Sequence, residues 1–134
     1  MSRAGRRPED VDVATLLPCS ISDDKREAQE LMRTPIATYA ARFPRYRRLM
    51  AACGFAEEVE AVRRAWAEGD PARAVRLVPP GLIEKVALAG TPDECRDRIP
   101  LYRQAGIDLP IISPRGQGRH LKAQVVAAIR ACAP

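Results

Sequence analysis

Apolar residues in this chain follow two rhythms: short β-branched runs, and longer stripes that step by three or four. Val11 to Leu17 (VDVATLL) forms the first run, bounded by Pro8 and Pro18, and predicts a buried strand. Ser22-Asp23-Asp24 then offers oxygen acceptors to the free N–H groups of a first helical turn. Beyond it, Ala28, Met32, Ile36, Tyr39, Phe43, Tyr46, Met50 and Cys53 trace one helical face. Pro35 and Pro44 interrupt this face, which predicts two or three bent pieces rather than one rod. Gly54 closes it. Phe55, Val59, Val62 and Trp66 make the next stripe, stopped by Gly69, and Asp70-Pro71 opens a short helix to about Leu77.

Pro79-Pro80-Gly81 is a break, and Leu82 to Ala89 reads as a helical turn leading into a short strand. After Gly90, Thr91-Pro92-Asp93-Glu94 spells a capping box with proline at the first helical position. That helix runs to Gln104 with Cys95, Ile99 and Tyr102 inward, a kink at Pro100 and a stop at Gly106. Ile107 to Ser113 is the second clear strand, Pro114 to Gly118 a loop, and Leu121, Val125, Ile129 and Cys132 the inward stripe of a last helix. Strands separated by helices imply parallel pairing through right-handed crossovers. Three parallel strands cannot close a barrel. With helices on one side only, the other sheet face is left bare.

Composition narrows the class. At 134 residues the chain holds one core but falls short of a complete (β/α)₈ barrel, which takes roughly 250. Its 22 basic and 17 acidic residues give +5, with the two signs interleaved, so nucleic acid is not an expected partner. No apolar run reaches the ~18 residues of a membrane span, and the chain reads as cytoplasmic. Cysteines 19, 53, 95 and 132 share no short spacing, which excludes a zinc ribbon or C-x-x-C pair and suggests buried thiols in a reducing compartment. No metal is expected.

Several segments resemble luciferase-like monooxygenases and the F420-dependent reductases related to them. Ala4-Gly5-Arg6-Arg7-Pro8 before a strand is similar to their AGRDP-type turn. Thr38-Tyr39, Tyr46 and Cys53-Gly54-Phe55 look like the family's helical region, and Ala89-Gly90-Thr91-Pro92-Asp93-Glu94-Cys95 resembles its AGTPEEC segment. Tyr102 to Pro110 (YRQAGIDLP) looks like the family's run into its last strand. The resemblance implies a helix-rich α/β fold, a partial (β/α)₈ TIM-type barrel of about strands six to eight. Residues 1–22 would be the strand-six region, 23–78 the helical region, and 79–134 strands seven and eight with their helices. It implies FMN or coenzyme F420 as cofactor in the complete enzyme, and hydride transfer or monooxygenation as the chemistry. Most residues around the ring would come from earlier strands, so no catalytic residue is carried over and the chain alone is expected to be inactive.

What remains is the phosphate side of such a barrel, where loops after the last strands meet helix N-termini. Gly90, Thr91, Ser113, Arg115 and Gly116 are the candidate cofactor-binding residues, with Gly118 in the same loop. The plain alternative is that Gly90 and Thr91 only turn and cap a helix, and that Arg115 is solvated. His120, the single histidine, has no second ligand beside it, and Ser20 and Ser22 lack a G-x-S-x-G elbow. Arg42, Arg45, Arg47 and Arg48 read as the wet face of a helix, and Trp66 as core. Expected partners are an N-terminal barrel half or a second copy. The rival functional reading is a non-catalytic interaction module that uses the exposed sheet edge.

Overall fold

The computed structural model describes residue 5, residues 7–116 and residues 119–133. Ala4 and Arg6 of the N-terminal motif, and Gln117 and Gly118 of the loop, lie outside the described residues. The fold is helix-rich α/β with one small parallel sheet. In chain order the elements are β1 (Ala14–Ile21), α1 (Lys25–Arg42), α2 (Pro44–Met50), α3 (Ala56–Ala67), α4 (Pro71–Arg76), α5 (Pro80–Val86), β2 (Leu88–Gly90), α6 (Pro92–Gln104), β3 (Leu109–Pro114) and α7 (Arg119–Cys132).

The caps written in the sequence are made. Asp24 accepts from the Arg26 N–H at 2.9 Å, and Asp70 from the Arg73 N–H at 2.8 Å. Gly54, Gly69 and Gly106 all take positive φ where helices end or turn. Prolines behave less uniformly. Pro44 does break the helix, because the residue before a proline is pushed out of the α region, and Phe43 sits at φ −117°, ψ 101°. Pro35 does not interrupt α1, contrary to expectation. Its lost N–H is offset by burial of Met32, Ile36 and Ala37 around it. The helical run of α6 likewise continues through Pro100.

β1 is the middle strand, in the order β2-β1-β3, and both pairings are parallel. It begins at Ala14 and continues through Pro18, beyond the expected boundary, for a geometric reason. The carbonyls of Val13 and Cys19 accept from the β3 side, so odd residues of β1 direct their backbone polar groups toward β3. Pro18 therefore points its missing donor toward β2, whose pairing starts only at Cys19. The strand order is not the simplest one. Three successive barrel strands would lie as β1-β2-β3, yet β2 and β3 are separated by β1. The long, six-residue pairing joins β1 to β3, while the three-residue β2 adds to the opposite edge.

The same alternation sorts the faces. Cys19, Ile21 and Leu88 point to one side, where α6 and α7 cover them through Cys95, Ala128 and Ala131. On the other side, α1 reaches only the end of the sheet, where the buried Ser20 hydroxyl donates to the Ala28 carbonyl at 2.5 Å. A second core of α1 to α5, including Met32, Val62, Leu82 and Ile83, grows from that end. The rest of this face stays open, with Leu16 58%, Leu109 51% and Ile111 42% exposed. The bare sheet face expected from the sequence is present over these residues.

One helix turned otherwise than expected. α7 buries its alanines and leaves Leu121, Val125 and Ile129 exposed, because the small side lets it sit close against Cys19 and Ile21. Its Gln124 forms two 2.8 Å bonds with Ile21, amide oxygen to N–H and amide nitrogen to carbonyl, extending the ladder past the end of β3. Among the described residues no helix is long and apolar enough to cross a membrane.

The open face has a solution signature. The purified chain should bind a hydrophobic dye or self-associate, and Leu16→Lys with Ile111→Lys should remove most of that signal. Being exposed, each change should move stability by no more than about 0.5 kcal/mol. A wild-type chain that stays monomeric and dye-silent in light scattering and fluorescence would contradict the open face.

Candidate functional site

Parallel pairing puts the C-terminal ends of all three strands at one end of the sheet, and every candidate site residue lies there. Gly90 and Thr91 follow β2 on one edge of β1, where the Ser22 N–H donates to the Gly90 carbonyl at 3.2 Å. Ser113, Arg115 and Gly116 close β3 on the other edge, where the Arg115 N–H donates to the Cys19 carbonyl at 2.7 Å. The two groups thus flank Cys19 to Ser22 rather than touching one another.

On the β2 side, much of the helix N-terminus is satisfied by its own chain. The Glu94 N–H donates to the Thr91 hydroxyl at 3.3 Å, and the Thr91 N–H donates to Glu94 Oε2 at 3.0 Å. Pro92 has no N–H to offer, and the Cys95 N–H goes to the Thr91 carbonyl. A Cβ on Gly90 would lie 2.6 Å from Glu94 Oε2, so glycine makes the room the returning carboxylate needs. Lys25 Nζ bridges Glu84 and Glu94 at 3.2 Å each, tying the start of α1 to α5 and α6. The Thr91 N–H first, and the Lys25 ammonium next, hold the Glu94 carboxyl below its ordinary value. An anion approaching α6 would meet this carboxylate. Gly90 and Thr91 are explained by capping.

On the β3 side the balance is reversed. Arg115 is half-buried, and its Nε is buried with no hydrogen-bond partner among the described residues. A buried guanidinium nitrogen left unpaired is costly, and an anion would satisfy it. Gly116 lies against the first turn of α7, where a Cβ would approach the Leu121 backbone to 3.1 Å. Backbone, not side chain, therefore borders that turn. Ser113 pairs in register with Pro18 and is half-buried.

Other candidates separate cleanly. His120 is exposed, and among the described residues no group of His, Cys, Asp or Glu is placed to hold a metal ion. Cys19 and Cys95 are buried and Cys132 half-buried, whereas Cys53, on the expected apolar stripe, is exposed. A hydrogen bond to Cys95, together with burial, pushes the Cys19 thiol well up, and the same bond lowers Cys95. Trp66 is half-buried against the helical core, with the Arg42 guanidinium 5.7 Å above its ring. Sequence reading missed Gln124 and Lys25, which fix the two edges of this end. A polar residue amid the apolar positions of the last helix was the available signal for Gln124.

Comparison with known proteins gives a consistent picture. A family model described as luciferase-like monooxygenase matches residues 1–109. The 5,10-methylenetetrahydromethanopterin reductase of Methanopyrus kandleri is 29% identical over 125 residues, 92% of this chain and 35% of the relative. The solved structure of the coenzyme F420 dependent tetrahydromethanopterin reductase from Methanopyrus kandleri is similar with a TM-score of 0.79 and 27% identity. That likeness covers 96% of this chain and 37% of the reductase. The chain spans about a third of the length of these relatives.

The capping network yields a coupled prediction. Gly90→Ala and Glu94→Ala should each cost about 0.5–2 kcal/mol by chemical denaturation, and the double variant little more than either, since both break one contact. Glu94 titrates below its ordinary value of 4.5 in the folded chain, so its contribution is complete at neutral pH. It should fade as pH falls below that value, and the wild-type advantage over Glu94→Gln should shrink with it. Additive losses, or an advantage independent of pH, would break this account.

Proposed function

We propose that this chain, which belongs to the luciferase-like monooxygenase family, supplies the C-terminal barrel segment of an F420- or FMN-dependent oxidoreductase and has no turnover by itself. In this reading residues 1–134 are one segment of a partial (β/α)₈ barrel. β1 and β3 are neighbouring barrel strands, and β2 is a short addition beside them. The observation that carries the reading is the one-sided sheet. α6 and α7 cover one face, while Leu16, Leu109 and Ile111 stay open on the other, as the lumen side of an incomplete barrel would. The greater length of the relatives supports it, and the F420 dependence of the Methanopyrus kandleri reductase favours F420 over FMN. The free thiols suit a reducing cytoplasm.

When bound, the cofactor would supply hydride transfer or oxygen activation. The residues of this chain do the holding. Arg115 Nε, buried and unpartnered among the described residues, fits an anionic group, with the Ser113 hydroxyl and the Gly116 backbone beside it. Gly90 and Thr91 shape the opposite side of the mouth through the α6 cap. The remaining barrel strands would come from a further polypeptide segment or partner chain.

A second reading, a non-catalytic module that binds another protein, draws on the outward Leu121, Val125 and Ile129 and on an apolar groove of about 320 Å³ between β3 and α7. The sheet edge itself serves that role poorly. The Arg115 and Leu109 N–H groups point to β1, so Pro110, Ile112 and Pro114 face outward and only Ile112 offers a donor.

Titration of F420 and FMN separates the readings. The chain alone should show neither binding nor turnover. Combined with a polypeptide carrying the preceding barrel strands, it should bind one cofactor. Arg115→Ala should then weaken binding about ten- to a hundredfold, equivalent to about 1.5–3 kcal/mol, with a larger loss at low salt. Turnover by the isolated chain would overturn the proposal, and a stable complex that binds neither cofactor would favour the interaction module.

A further inference from the structure

Residues 31 to 56 contain Arg33, Arg42, Arg45, Arg47 and Arg48 and no Asp or Glu, a local charge equal to the +5 of the whole chain. Two of these arginines are engaged. Arg33 pairs with Glu30 and donates to the Val78 carbonyl, and Arg47 donates to the Ala40 and Ala41 carbonyls at 2.9 and 3.2 Å. The other three, Arg42, Arg45 and Arg48, are exposed and form no ion pair among the described residues, although the Arg42 guanidinium also lies over the Trp66 ring.

Apolar residues accompany them one position on. Phe43 and Tyr46 were expected on the inward stripe, yet they are 46% and 48% exposed, and Leu49 beside them is 58% exposed. The break at Pro44 is the reason: it turns α2 so that only Met50 is buried. The aromatic part of the row is held by self-packing, with Tyr39 5.1 Å from Phe43 and edge-on to Tyr46 at 4.7 Å. Such rings lose little further freedom on binding, and exposed aromatic and arginine side chains together are typical anchors of protein interfaces.

We infer that this corner, where α1 meets α2, docks an acidic amphipathic helix of a partner protein. The inference does not depend on the proposed enzymatic role. Apolar side chains of the partner would cover Phe43, Tyr46 and Leu49, and flanking carboxylates would meet the guanidinium forks of Arg42, Arg45 and Arg48. A second copy of this chain is disfavoured, because it would set three unpaired arginines against three. Nucleic acid is disfavoured because Tyr39 already packs against Phe43 and Tyr46, which limits the ring faces on which bases could stack.

The test uses the full chain and a synthetic peptide of about 18 residues, long enough to be helical, with leucines on one face and glutamates elsewhere. Controls are the same peptide with lysines for glutamates and a single-stranded RNA of about 12 nucleotides. The acidic peptide should bind, and its affinity should fall at least about tenfold between about 0.05 M and about 0.3 M NaCl. Arg45→Glu with Arg48→Glu should cost at least about tenfold, with thermal unfolding unchanged because these residues are exposed, and Tyr46→Ala should also weaken binding. The inference is overturned by equal binding of the acidic and basic peptides, by RNA binding tighter than the acidic peptide, by an unaffected double variant, or by no binding at low salt.

Discussion

β1 carries hydrogen bonds on both edges, but over different stretches, and the rest of the arrangement is built on that division. Its β3 edge is occupied from Ala14 to Cys19 and then continued by Gln124, while its β2 edge is occupied only from Cys19 to Ser22. Because backbone groups alternate sides, a proline is harmless at position 18 and would remove a ladder bond one position on. The shortness of β2 is what lets β1 run through that proline. β2 ends level with β1 and β3 two residues short of it, so the turns after β2 and β3 leave from the same end of the sheet.

The same parity fixes which side chains each face must bury. Cys19, Ile21 and Leu88 need a close partner, and α6 and α7 meet that need with Cys95, Ala128 and Ala131. Small residues bring the α7 backbone near enough for Gln124 to reach Ile21, at the cost of turning Leu121, Val125 and Ile129 outward. Gly116 follows from this approach, since the loop must pass the first turn of α7 with no room for a Cβ. On the other face, α1 departs at Ser22 and doubles back only far enough to cover Ser20 and Ala89. Leu16 and Ile111, lower on the same face, find no helix.

Features decided within four residues were legible from the amino acids. Asp24, Asp70 and the Thr91–Glu94 box bond to backbone groups next to them in sequence, and the glycines at 54, 69 and 106 stop what precedes them. Features decided by a distant neighbour were not. Whether Pro18 ends a strand depends on where β2 begins, seventy residues later. An amphipathic stripe says that a face can be buried, not that a partner exists for it, which is why Phe43, Tyr46 and α7 were oriented wrongly. Strand order was equally hidden, since the pattern of alternating strands and helices is the same for β1-β2-β3 and β2-β1-β3. Within the candidate site, all five residues were foreseen at one end of the sheet. The environment that distinguishes them was legible only in part, because the Thr91–Glu94 box is local in sequence, whereas the burial of Arg115 Nε and the Lys25 contact to Glu94 depend on chain folding.

That difference of environment gives the mouth of the sheet a direction. Two helix N-termini lie near it, and helix dipoles alone would make them equivalent sites for an anion. They are not equivalent. At α6 the Thr91 and Glu94 N–H groups are taken by the capping box, and the Glu94 carboxylate, stabilised by Lys25, adds negative charge beside that turn. Across β1, the loop after β3 holds a cation whose Nε lacks a partner among the described residues, beside a glycine that packs against the first turn of α7. In the proposed cofactor role, Coulomb repulsion on one edge and an unmet donor on the other would both favour an anionic group at Arg115. In that role, orientation across the sheet would follow from the capping box as much as from the arginine, with the glycine at position 90 admitting the carboxylate on the α6 side.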